Sequence, residues 1–206
     1  MSAVMMKGHV YYVHGMRLPP DLAARLKAGH GRGRRHALLK SMLLDRLASE
    51  PVFPLPQLPH AEMTKWLIPA TDPDYEVLVA GIRRHGHTHR GLTRCVLLAA
   101  RDALGYRLEM GWDYANPWLL IPRCATLPDP LRVRRKGATW LWDGLVEGLQ
   151  ALTIDGVVAA GMQGPLRRVH MPSIPEHARP ALREASERLL LSPDRLLYPA
   201  MLDATR

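Results

Sequence analysis

The stretch GHGRGRRHALLKSMLLDRLA, residues 29–48, decides how the rest of the chain reads. Its first part alternates Gly29, Gly31 and Gly33 with His30, Arg32 and Arg34, a glycine-rich basic loop in which the backbone can turn sharply or approach a ligand. Leu39, Met42, Leu43 and Leu47 then recur at the spacing of one helix face, which predicts a helix over about 34–48. Working outward, Pro19-Pro20 opens a short helix at 21–28, and the β-branched and aromatic run 9–16, HVYYVHGM, predicts a strand before it. Pro51, Pro54, Pro56 and Pro59 forbid regular structure over 51–59, and a short helix is expected at 61–67.

Further along, Asp72-Pro73 opens a helix running to about Arg84. After the break His85-Gly-His-Thr-His-Arg-Gly91, a second helix follows at 91–104, with Leu92, Val96, Ala99 and Ala103 on one face and Gly105 ending it. Short strands are expected at 106–110 and 118–122, a basic connector at 123–137, a helix at 138–152 and a strand-like run at 154–160. The tail reads as helices at 180–191 and 193–204, the second announced by Ser192-Pro193-Asp194. The fold class is therefore α+β and helix-rich: about seven helices with a few short strands. One domain over 1–206 is expected, in which 176–206 could form a helical C-terminal appendage.

Charge narrows the function. The chain carries 28 Lys and Arg against 19 Asp and Glu, a formal charge of +9. Acids vanish in blocks: 22–44, 77–101 and 130–142 contain none, although each is rich in arginine. Segregated cations focus a field, and nucleic acid is the commonest polyanion that such a field meets. The apolar fraction of 47% suffices for a packed core. No apolar run approaches the ~20 residues of a bilayer-spanning helix, and 1–8 has no apolar core of a signal peptide. Cys95 and Cys124 are too few for a disulfide framework or a four-thiolate zinc site, so a reducing cytoplasm is the expectation, with no cofactor, no metal and no membrane partner.

Three constellations could carry chemistry. In the first, Arg32, Arg34, Arg35, His36 and Lys40 stand where a helix N-terminus would offer backbone N–H groups, a plausible phosphate cradle or a solvated helix–helix turn. No Gly-Lys-Ser/Thr completes a Walker loop there. The second is His85-x-His87-x-His89, flanked by Arg83, Arg84, Arg90 and Arg94. Alternate imidazoles could act as acid and base or bind a metal; a cationic turn facing phosphate is the simpler expectation. As a helix-turn-helix, the pair would expose Arg90, Thr93, Arg94 and Arg101 for base reading, but the break is longer than that motif's turn, which favours a plain helical hairpin. Gly86-His-Thr-His resembles the last motif of calcineurin-like metallophosphoesterases. The Asp-x-His, Gly-Asp and Gly-Asn-His that family needs occur nowhere in the chain, and the resemblance is rejected. VYYVHG at 10–15 is similarly only a fragment of an α/β-hydrolase pattern, since no serine sits in Gly-x-Ser-x-Gly.

The third constellation is aromatic. Trp112, Tyr114 and Trp118 crowd one Gly- and Pro-punctuated segment, and Trp140 and Trp142 follow Arg134, Arg135 and Lys136. Such rings could stack on unpaired bases, or Trp118 could be a core strand residue ahead of Leu119-Leu120-Ile121. The reading that follows is a non-enzymatic DNA- or RNA-binding protein that grips the phosphate backbone with arginine and works beside other protein subunits in a nucleoprotein complex. Its rivals are a nuclease or phosphodiesterase using His85, His87 and His89, and a basic module that meets an acidic protein.

Overall fold

A computed structural model describes residues 2–6, 9–13, 17–53, 64–65, 68–69, 73–85, 89–108, 118–126, 139–171 and 173–204. Their contacts gather into two compact units, Met1–Leu108 and Glu109–Arg206. The helix-rich α+β expectation holds: eight α-helices and seven short strands are described.

In the first unit, β1 (Ser2–Met6) and β2 (His9–Val13) pair antiparallel, and β5 (Ile68–Pro69) adds to β2. A two-residue ladder joins β3 (Arg17–Leu18) to β4 (Thr64–Lys65). Four helices complete the unit: α1 (Pro20–Lys27), α2 (Arg32–Ser49), α3 (Tyr75–Arg84) and α4 (His89–Leu104). The organising contact is α2 on α4. Leu39, Leu43 and Leu47 of α2 are buried, three of the four residues whose spacing predicts the helix. Every residue of α4 from Thr93 to Ala100 is buried, so this helix is covered on all sides rather than on one face. Gly81 of α3 admits α2 closely, since a Cβ there would stand 2.8 Å from Leu47 Cβ.

The second unit is built on β6 (Trp118–Pro122), α5 (Thr139–Ala151), α6 (Ile154–Ala159), β7 (Leu166–His170), α7 (Arg179–Leu189) and α8 (Pro193–Ala204), with one 3₁₀ turn at Glu176–Ala178. β6 and β7 form an antiparallel ribbon, Trp118 opposite His170 through Pro122 opposite Leu166. Its inner residues Leu119 and Ile121 are fully buried, and β6 packs on α8. α8 also packs on α5, where Gly148 lies so close to the Ala200 carbonyl that no side chain fits between them.

Three local expectations fail, each for a readable reason. Ile154–Ala159 is helical, not extended, because Thr153 caps it: its Oγ1 accepts from the Gly156 N–H at 3.1 Å, and Asp155 sits in the first turn. Thr64–Lys65 pairs as a strand instead of joining a helix at 61–67; 61–63 and 66–67 lie outside the described residues. Residues 105–108 are irregular rather than a strand, since Gly105 (φ 61°) ends α4 and buried Tyr106 is tied by its hydroxyl to Asp21 at 3.1 Å. The remainder of that expected strand, 109–110, lies outside the described residues. β1 and β7 carried no sequence expectation, and α7 and α8 are integral to the second unit.

Candidate nucleic-acid interface

The two units divide the charge unevenly. Residues 1–108 hold sixteen Lys and Arg against eight Asp and Glu, a net +8. Residues 109–206 hold twelve against eleven, a net +1. The electropositive character of the chain is a property of the first unit.

Within it, the α1–α2 turn collects the exposed cations. Gly29 and Gly31 take left-handed backbone (φ 68° and 91°), where a Cβ would be strained, so the chain reverses within a few residues. That reversal places Arg25 and Lys27 at the end of α1 near His30, Arg32 and Arg34 at the start of α2, all exposed. Among the described residues no carboxylate pairs with Arg25, Lys27, Arg32 or Arg34. The first turn of α2 has no acid, and Gly31 brings no capping side chain. The N–H groups of Arg32, Gly33 and Arg34 precede the first intrahelical bond, from Arg35 N–H to the Gly31 carbonyl at 3.0 Å. Positive side chains and the positive end of the helix dipole therefore coincide.

Neighbouring expected site residues have internal work. Arg35 donates to the Arg25 carbonyl at 3.1 Å and to the Ala28 carbonyl, closing the C-terminal end of α1. His36 is half-buried, and burial first, then Arg32, lower its pKa, which favours the neutral imidazole. Lys40 pairs with Asp74 at 2.8 Å. At the end of α3, Arg83 is exposed, whereas Arg84 donates to the carbonyls of Leu47 and Ala48, the last turn of α2.

Arg94 lies in the interior, 2% exposed. Its guanidinium pairs with Glu50 at 2.9 Å and stands 5.8 Å over the Phe53 ring. Glu50 also takes Arg46 at 2.5 Å, and Arg46 reaches on to Asp102. This network locks the end of α2 to the middle of α4. Thr93 is buried as well, so α4 presents neither residue for base reading; α3 and α4 each pack chiefly on α2 rather than on one another, as the expected hairpin would have them. His85 is likewise buried, its Nε2–H donating to the Leu47 carbonyl at 3.2 Å. That tautomer leaves Nδ1 to accept from Cys95 Sγ, 3.5 Å away. Burial is the main cause that lowers the His85 pKa, with Arg84 and Arg94 adding to it. Burial also pushes the Cys95 thiol up to about 12. A neutral imidazole beside a protonated, enclosed thiol is packing chemistry rather than a nucleophile and its base.

Among the described residues no three His, Cys, Asp or Glu side chains gather as a metal site. His87, Trp112, Arg134, Arg135 and Lys136 lie outside the described residues, as do the side chains of His89 and Arg90. Trp118 stands on the ribbon of the second unit, 45% exposed. Sequence reading passed over Arg25, Lys27 and His30 as site residues; the signal was the pair of positive-φ glycines that fold them beside Arg32 and Arg34. It also passed over Glu50, which stands one helix turn after Arg46. No helix among the described residues is long and apolar enough to cross a membrane. Compared with known proteins, the chain matches no family model, no curated protein and no solved structure.

Proposed function

We propose that this protein binds nucleic acid, DNA or RNA, by gripping the phosphate backbone with the cationic surface of residues 1–108, and that it does so as a subunit of a larger nucleoprotein assembly. One observation carries the reading: the first unit has a net +8 and presents Arg25, Lys27, His30, Arg32 and Arg34 together around one exposed turn, without carboxylate partners among the described residues. Arginine-rich surfaces of this kind gain affinity by displacing counterions, which any phosphate backbone supplies. A reducing cytoplasm suits the two free thiols, one of them exposed.

The test is the salt dependence of binding to a short duplex. Phosphate contacts make log affinity fall linearly with log salt, at about 0.9 per contact. Removing Arg32 and Arg34 together should flatten that slope by about two and weaken all sequences alike. A protein that binds neither duplex nor single strand at low salt would end the proposal, and a slope unchanged in the double variant would remove the turn from the interface.

A further inference from the structure

The β6–β7 ribbon buries one face and offers the other. Leu119 and Ile121 point inward, so the alternate residues Trp118 and Leu120, with their cross-strand partners His170 and Arg168, share the outer face. Trp118, His170 and Arg168 are exposed there. The Trp118 and His170 rings meet edge to face, centroids 5.6 Å apart and planes at 87°. The two rings meet at an edge rather than stacking flat, and Trp118 keeps 45% of its surface exposed, which leaves room for a flat ligand. Arg168 stands one pleat repeat further on, about 7 Å along the ribbon. Arg167 is not part of this face; it opposes buried Ile121 and donates to the Ala125 carbonyl at 3.1 Å.

A half-exposed tryptophan in contact with a second ring, with a guanidinium one step away, matches an unpaired nucleotide: the base stacks on the indole and the phosphate meets Arg168. A paired base offers no such face, because its neighbours in the duplex already cover it. We infer that the outer face of the β6–β7 ribbon, built on Trp118, His170 and Arg168, is a base-stacking site for single-stranded nucleic acid. The inference rests on the nucleic-acid reading above and adds its ligand class, with a location on the second unit, whose net charge is only +1. Stacking on a sheet face does not require a strongly cationic unit.

The experiment uses the full chain and measures affinity for short oligothymidine, oligouridine and a duplex of equal length. The variants are Trp118→Ala, Trp118→Phe and Arg168→Ala. One stacked base is worth about 1–3 kcal/mol, which reads as a roughly five- to 150-fold loss on single strands for Trp118→Ala. The same variant should change duplex affinity by less than about twofold. Trp118→Phe keeps a stacking ring, so affinity should largely survive while the fluorescence quench caused by single strands disappears. Arg168→Ala alters an exposed side chain and should flatten the single-strand salt slope by about 0.7. Equal losses on single strand and duplex, or a quench as large in Trp118→Phe as in the native chain, would overturn the inference and leave the backbone-binding reading standing. Absence of all binding would end both. A loss on one oligonucleotide but not the other would support the site and show whether the ribose hydroxyl contributes.

Discussion

Residues 1–108 and 109–206 hold nearly equal numbers of arginines, twelve and eleven, yet the two units put them to different use. In the second unit most described arginines bond to backbone carbonyls: Arg167 to Ala125, Arg179 to Ile174, Arg188 to Leu149 and Gln150, Arg195 to Met162. Acids nearly balance the unit's cations, and among its described arginines Arg123 and Arg168 remain exposed. In the first unit Arg35 and Arg84 do the same for the ends of α1 and α2, and Arg46 and Arg94 join an ion-pair network, but Arg25, Arg32, Arg34 and Arg83 are left over on the surface. Arginine content therefore does not report a binding surface. The proposed surface is the remainder after helix ends and buried carboxylates have taken their share.

The sharpest way to break this contrast is to remove Glu50. Its carboxylate holds both Arg46 and the buried Arg94, and breaking such a buried pair costs about 3–5 kcal/mol because a charge stays inside without its counterion. Glu50→Ala should cut hydrogen-exchange protection across α2 and α4 while α5 and α8 keep theirs. A uniform loss over both units would mean that they unfold together. Replacing Arg94 and Glu50 jointly by apolar residues of similar volume should recover most of the loss.

The second unit has a different weak point. Gly148→Ala pushes a methyl into the Ala200 carbonyl, where backbone must yield, so a loss of about 1–3 kcal/mol is expected there. Exchange protection in α5 and α8 should fall with α2 and α4 unaffected, the mirror image of the Glu50 result. An unchanged melting temperature would show that the two helices are not held at this distance.

Acid should weaken the first unit. His85 has a folded pKa below the ordinary 6.5, so the unfolded chain binds more protons between the two values. Stability contributed by neutral His85 is full above 6.5 and is lost as pH falls through 6.5 toward the lower folded value. His36 adds in the same direction. His85→Gln should flatten the fall in stability between pH 7 and pH 5 relative to the native chain, measured by urea unfolding. An identical pH profile would mean that His85 is not held neutral by its surroundings.

How far the sequence announced all this follows from the same contrast. Helices with one buried stripe were legible: Leu39, Leu43 and Leu47 mark α2 because one face alone is apolar. The end signals worked where proline or glycine forces the backbone, as at Pro193 and Gly105. α4 misled, since a helix covered on every side makes Arg94 look like a surface residue between apolar ones; only the partner Glu50, 44 positions away, reveals its burial. α6 misled because a short β-branched run outweighs a single capping threonine. The basic turn was visible as composition, but which of its arginines stay on the surface depends on carbonyls of α1 that no local pattern encodes.

The smallest expected effect separates two residues that stand next to each other. Arg34 is exposed and has no described carboxylate, while Arg35 donates to the carbonyls of Arg25 and Ala28. A cation at a helix C-terminus contributes about 0.3–1 kcal/mol, so Arg35→Ala should lower stability by roughly that amount. Its salt slope for nucleic acid should stay nearly native, since its guanidinium is turned to α1. Arg34→Ala should do the reverse: melting unchanged, and the duplex slope flatter by about 0.9. If Arg35→Ala flattened the slope as much as Arg34→Ala without touching the melting temperature, its bonds to α1 would not hold it in solution. The division between arginines that brace the fold and arginines left for the proposed phosphate contact would then fail where it is most local.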